Sequence, residues 1–243
     1  MSFASPMAHF YDVLNDGVSY AEERDFLLPL LPEGARRGAD LGCGTGELVC
    51  LLSRDYEMTG VDLSEEMLAA ADEKAFSAGR KIRFVRQDIA HLALGEKFDF
   101  CVCLHDTLNY LLTTAEVSSF FAGVRAHLVP GGVFIFDLNT PERFRTEYGT
   151  GAEVLEREGL FCVWEKEYRE KSGILDVTFH FFEEKPDGRY ERSAEYERQR
   201  KYSARTVEKL CREAGLVPEL VRQDAAHSIY RAVNSGEETE LCR

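Results

Sequence analysis

With 243 residues, 44% of them hydrophobic, the chain has material for one domain-sized core, or for one core carrying an insertion. Its formal net charge of −14 repels phosphate backbones and anionic lipid at long range, so neither nucleic acid nor a membrane is expected as a partner. The opening "MSFASPMAHFYDVL" lacks a basic start before an apolar run, and no later stretch is long enough to span a bilayer, so a cytoplasmic chain is expected.

From about residue 20 to 140, strand-like and helical patterns alternate. "AEERDFLLPLL" reads as a helix stopped by Pro32 and Gly34. "GARRGADL" follows as a first strand of three or four residues, with Arg36, Arg37 and Gly38 where a central strand favours Val or Ile. "YEMTGVD" is a strand, and "SEEMLAAADEKAFSA" a helix capped by Ser64 and ended by Gly79. "KIRFVRQD" and "FDFCVCLHD" are further strands. "TTAEVSSFFAGVRAHL" is a helix closed by Pro130 and two glycines, before the apolar strand "GVFIFDLN". Such alternation implies an α/β fold: a Rossmann-like, doubly wound sheet covered on both faces.

The rhythm then changes. "LFCVWEKEY", "ILDVTFHFFEE" and "RYERSAEYERQRKY" have strand length and partial alternation, separated by the hairpin-type turns "REKSG" and "KPDG". Residues 151–200 are therefore expected to form an inserted antiparallel β-sheet, serving as a lid or a homodimer surface. "SARTVEKLCREAG" returns to helix, and "LVPELVRQD" and "HSIYRAV" complete the sheet. The division expected is a helical segment over residues 1–35, a core over 36–150 and 201–234, and the insertion between them. The polar tail "NSGEETELCR" reads as loose. The seven cysteines form no CxxC pair, and Cys101 and Cys103 alternate on an apolar strand; reduced, packed thiols are expected, and no metal site.

"ADLGCGTGE", residues 39–47, carries the chemistry. Gly42, Gly44 and Gly46 permit positive φ and let a ligand approach bare backbone, and the helix "ELVCLLSR" opens directly after them. Dinucleotides and S-adenosylmethionine both use such a turn. The dinucleotide fingerprint places its third glycine one position later, and Glu47 would repel a pyrophosphate. Asp62 ends the second strand, where a carboxylate can accept both ribose hydroxyls. Asp88 ends the third, where it can receive an adenine amino group with Ile89 over the ring.

Together "ADLGCGTGE", "GVDLSEEML", "RQDIAHL", "FDFCVCLHDTLNYL" and "PGGVFIFDLNTP" resemble the class I S-adenosylmethionine-dependent methyltransferases. The resemblance implies a seven-stranded sheet with an antiparallel last strand and the cofactor across the carboxyl ends of the first strands. It implies Asp40, Gly42, Cys43, Gly44 and Gly46 at the methionine end. Asp62 and Leu63 would stand at the ribose, with Gln87, Asp88 and Ile89 at the adenine and Leu104 nearby. "FYDVLNDGVSYAEERDFL" and the insertion are similar to small-molecule N-methyltransferases, among them those acting on amino sugars.

Methyl transfer from a sulfonium is an in-line displacement, for which alignment and water exclusion matter most. The acceptor, a small molecule methylated at nitrogen, is expected after the fourth strand. There His105 is a candidate base, against an ordinary loop histidine. Asp106 is a candidate anchor for an amine, against a helix cap. Asn109, Asn139, Trp164 and Tyr168 are candidates to line the cavity, against plain packing, and Tyr11 could close the cofactor pocket. The charged run "ERSAEYERQRK" reads as a solvated strand face, and an anionic substrate would be invoked only if its arginines converged on the cavity. Three alternatives stand beside this reading: an RNA or protein methyltransferase, a NAD-dependent oxidoreductase, and a non-catalytic binder of adenosylmethionine.

Overall fold

The computed structural model describes residues 5–157 and 159–236, so most of the tail expected to be loose, with Cys242, lies outside them. Two helices lead, α1 (Pro6–Leu14) and α2 (Tyr20–Leu27). The α/β unit then runs β1 (Arg37–Leu41), α3 (Glu47–Leu52), β2 (Glu57–Asp62), α4 (Glu65–Ser77), β3 (Arg83–Arg86), β4 (Phe98–Cys103), α5 (Thr114–His127) and β5 (Leu128–Asn139). A short α6 (Pro141–Thr146) precedes β6 (Gly151–Arg157), β7 (Leu160–Arg169), β8 (Ile174–Glu184) and β9 (Tyr190–Arg200). The chain returns through α7 (Ala204–Glu213) to β10 (Leu216–Gln223) and β11 (His227–Asn234).

Seven strands form one sheet in the order β10-β11-β5-β4-β1-β2-β3, in which β11 runs antiparallel to both neighbours. The order reverses at β1, so the carboxyl ends of β1 and β4 splay apart and leave a crevice between them. One apolar layer packs α5 and α7 on the sheet through Phe120, Phe121, Phe134 and Phe136, all fully buried. A second packs α2, α3 and α4 through Leu27, Val49, Leu52 and Val102. Each such side chain contributes about 1.5–3 kcal/mol by leaving water. A four-stranded antiparallel sheet, β6-β7-β8-β9, holds a third core around Phe144, Cys162, Leu175 and Phe181.

The first strand is five residues long, and its unusual composition has a cause. The Asp99 carboxylate accepts the backbone N–H groups of Arg36 (2.8 Å) and Arg37 (2.9 Å), and the Arg37 guanidinium bonds Glu96. A Cβ on Gly38 would lie 2.2 Å from the Phe100 ring, so only glycine lets that ring cross the strand.

Three local expectations need correction. Helix α5 ends at His127, before Pro130; the proline and both glycines lie inside β5, where the register slips between Phe98 and Phe100 to absorb them. The insertion has four strands rather than three, because β6 pairs with β7 despite an exposed, weakly alternating sequence. Helix α6 was not expected, although Thr140 caps it and Pro141 opens it, a usable sequence signal.

Helix α1 straps the two sheets together. Phe10 stacks on Phe181 of β8 at 5.1 Å, and Asp12 accepts from Thr45 Oγ1 (2.6 Å) beside the glycine turn. Lys74 joins Asp12 (2.9 Å) to Glu47 (2.5 Å), and Arg157 of β6 reaches Asp16 at 3.1 Å. No helix among the described residues is long and apolar enough to cross a membrane.

Candidate active site

The turn after β1 carries Gly42, Gly44 and Gly46 at φ +87°, +51° and +81°, a region costly for other residues. Each has its own reason. A Cβ on Gly42 would meet Thr107 Cγ2 at 2.4 Å, and one on Gly46 would meet Ala71 at 2.8 Å. Gly44 has nothing nearer than Tyr11 Cε1 at 4.0 Å, so its backbone faces open space. Its N–H donates to Asp62 Oδ2 (2.9 Å), while Ser64 N–H donates to Asp62 Oδ1 (2.9 Å). Burial pushes the Asp62 carboxyl up, against these backbone donors.

Beside this turn opens a cavity of about 540 Å³, lined by Gly42, Gly44, Asp62, Leu63, Gln87, Asp88 and Ile89 along the ends of β1, β2 and β3. Asp88 accepts from Ala90 N–H (2.9 Å) and meets His91 Nδ1 (3.1 Å); Gln87 Oε1 accepts from Ala93 N–H (2.8 Å). A narrow recess of about 20 Å³ continues past the glycines to Asp40, Cys43, Thr45, Glu47 and Leu104, closed over by Tyr11 and Tyr20. Asp40 is buried there, which raises its pKa to about 7. A larger hollow, about 760 Å³, lies at the opposite ends of β2 and β3, around Glu57 and Arg83, where ligands of parallel sheets do not sit.

A second cavity, about 270 Å³, lies between α1, the inserted sheet and the ends of β4 and β11. His105 and Asp106 enter its wall, both with positive φ (58° and 65°), which for such residues needs outside support. Asp137 gives it, accepting the backbone N–H of His105 (3.0 Å) and of Asp106 (3.1 Å). The His105 ring stacks on Tyr20 and bonds Glu23 through Nε2 at 2.9 Å. Burial opposes its charge, but Glu23 prevails and raises its pKa to about 9. The Asp106 carboxylate meets Arg143 (3.2 Å), the Tyr148 hydroxyl (3.0 Å) and His227 Nε2 (3.2 Å). Burial pushes its pKa up, but the His227 hydrogen bond and the neighbouring Arg143 and His227 outweigh it and bring it below the ordinary range. Ligand atoms of Asp106, Asp137 and His227 lie within 4.8 Å of one another, yet Arg143 contacts both Asp106 and His227 and supplies the positive charge a metal ion would bring.

A family model described as a methyltransferase domain matches residues 39–132. A protein of Geobacillus sp. (strain WCH70), named as a methyltransferase, is 32% identical over 213 residues, spanning 86% of this chain and 86% of its own. The chain belongs to the class I S-adenosylmethionine-dependent methyltransferases. A crystal structure of such an enzyme from Clostridium acetobutylicum ATCC 824 superposes with a TM-score of 0.84 at 28% identity, covering 95% of this chain and 98% of that one. A Streptomyces venezuelae enzyme named dTDP-3-amino-3,4,6-trideoxy-α-D-glucopyranose N,N-dimethyltransferase is 30% identical over 162 residues, 63% of this chain and 65% of its own. Family membership sets aside the dinucleotide reading.

The residues present fit adenosylmethionine as this methyltransferase's cofactor. The first cavity falls within the 300–1,000 Å³, roughly, of small-molecule sites. It offers bare backbone at Gly44, a carboxylate at Asp62 for hydroxyls and another at Asp88 for an amine, and the apolar Leu63 and Ile89 for a ring.

The methyltransferase's second cavity differs from the sequence expectation in several places. Asn109 and Asn139 are fully buried and line neither cavity. Asn109 bonds the Arg200 carbonyl (2.8 Å) and the Asn139 N–H (3.0 Å), tying β5 to the inserted sheet. Tyr168 packs on Phe144 away from the cavity, while Trp164 does line it, with an indole N–H that has no partner. Asp106 makes no side-chain cap, so the capping alternative fails. On β9 the arginines do not converge: Arg198 binds Asp176 on the outer face and Arg200 the Leu112 carbonyl (2.8 Å). It is the glutamates, Glu195 and Glu197, that face inward, so the run is not simply a solvated face. Arg143, Tyr148, Lys166, Glu197 and His227 were missed, because they come from α6 and the turn after it, β7, β9 and β11, and no local spacing marks them as one site.

Proposed function

We propose that the enzyme methylates a small-molecule acceptor at an amine nitrogen. The observation that carries this is the second cavity: about 270 Å³, roofed by α1 and the inserted sheet, and sharing Tyr11, His105, Tyr110 and Glu197 with the first. Such a space admits a metabolite and excludes a folded RNA or protein surface. Bound adenosylmethionine supplies an electrophilic methyl whose C–S electron pair leaves with the sulfur.

The chain's own residues then align the acceptor and exclude water, a contribution of about 7–11 kcal/mol to the barrier when orientation is good. His105, held protonated by Glu23 at neutral pH, acts as a fixed wall and not as a base. Asp106 is a fixed anion whose orientation Arg143, Tyr148 and His227 determine. Neither offers a strong base for a hydroxyl, whereas an amine needs only to lose one readily removed proton. The N,N-dimethyltransferase names of three relatives support nitrogen.

A screen of small amines, nucleotide-linked amino sugars included, alongside bulk tRNA tests the proposal. S-adenosylhomocysteine and an N-methylated product are expected with a small amine alone. Turnover with tRNA or with hydroxyl acceptors only would overturn it.

A further inference from the structure

Anything passing between the two cavities passes Tyr11, His105, Tyr110 and Glu197, the side chains common to both walls. Only one of the four is a carboxylate. Glu197 stands on β9 opposite Val177, on the inward face with Glu195 and Gln199. Its two inward neighbours are engaged. Glu195 accepts from the Ser5 hydroxyl (2.7 Å) and from Met7 N–H (2.8 Å), and Gln199 accepts from the Asn139 amide (3.2 Å). Asp106, the other acid of the second cavity's wall, is bound by three donors. Glu197 accepts the Tyr110 hydroxyl at 2.5 Å through Oε2, a bond between two residues that line both cavities.

Resting on the amine reading above, we propose that Glu197 receives the acceptor's ammonium at the junction and takes one of its protons. The step balances as R–NH3+ plus carboxylate giving R–NH2 plus carboxylic acid, which leaves a nitrogen lone pair free to form the new N–C bond. The proton returns to solvent as the product leaves. Tyr110 is a positioning residue in this step. Burial, and then the nearby charges of Glu195 and Asp106, raise the affinity of Glu197 for a proton against the Tyr110 hydrogen bond. His105, Tyr11 and Gln199 line the same cavity. A group so placed holds a proton more readily than a surface glutamate does. The inserted sheet thus has a chemical task beyond closing the cavity.

The test compares two cofactor analogues. Sinefungin carries a C–NH3+ where adenosylmethionine has its methyl-sulfonium; S-adenosylhomocysteine carries neither charge. In the Glu197→Gln variant, sinefungin affinity should fall about 10- to 100-fold, the span of a charge-assisted hydrogen bond, while adenosylhomocysteine affinity stays unchanged. Glu197→Asp should recover part of the difference. If both ligands bind the variant as they bind wild type, or both weaken together, the assignment is overturned. Failure of the amine reading would look different: wild type would still favour sinefungin through Glu197, yet yield no N-methylated product from any amine.

Discussion

The cofactor crevice and the acceptor cavity are built in opposite ways. The crevice is made chiefly of backbone and strand ends from residues 42–89, joined by Tyr11, His105, Tyr110 and Glu197 from elsewhere in the chain. Asp62 braces Gly44 and Ser64, and Asp88 caps the turn that carries Ile89. The acceptor cavity is made of side chains brought from α1, the end of β4, α6, β7, β9 and β11, and cross-linked ion pairs hold it together. In the proposed function the cofactor would meet chiefly one segment of chain, and the acceptor side chains assembled from distant ones. The two should therefore respond differently to mutation.

The largest separation is expected from Asp106→Ala. It leaves Arg143 and His227 facing each other without their shared anion, and breaking a buried pair in this way costs about 3–5 kcal/mol. Denaturant unfolding should show that loss, while adenosylhomocysteine binding measured on the folded fraction should not change. A parallel loss of cofactor affinity would show that the two regions are one.

A smaller effect is set by pH. His105 has a folded pKa of about 9, above its unfolded value. Its bond to Glu23 therefore stabilises fully below the unfolded pKa, about 6.5, and the contribution disappears as pH rises through about 9. At roughly 1.4 kcal/mol per unit, this amounts to at most about 3.5 kcal/mol. Stability measured from pH 6 to 10 should fall in wild type and much less in Glu23→Gln. Parallel curves would contradict the pairing. The smallest expected effect, Asp62→Ala, is confined to the crevice. Cofactor should bind about 1.5–3 kcal/mol more weakly by calorimetry, with the unfolding midpoint lowered less than in Asp106→Ala.

The same contrast explains what could be read from the sequence. The parallel sheet, the glycine turn and the strand-end acids were legible, because each is a local pattern: alternation, a cap such as Ser64, a carboxylate at a fixed offset. Arg36 and Arg37 were opaque, since Asp99 and Glu96, their partners, lie some sixty residues away. Glu197 lay hidden in a run of alternating charge. Which of its two parities faces inward depends on pairing with β8, and a shift of one residue would have turned the arginines inward instead. Asn109 was misread for a related reason: a polar residue after a central strand can serve a ligand or a neighbouring strand, and the distant Arg200 carbonyl decided it.

The most direct test is a crystal structure with S-adenosylhomocysteine. Its ribose should sit on Asp62 and its adenine between Asp88 and Ile89, with the sulfur turned toward Tyr11, Tyr110 and Glu197. A nucleoside seated anywhere else, or a sulfur turned away from that passage, would contradict the account.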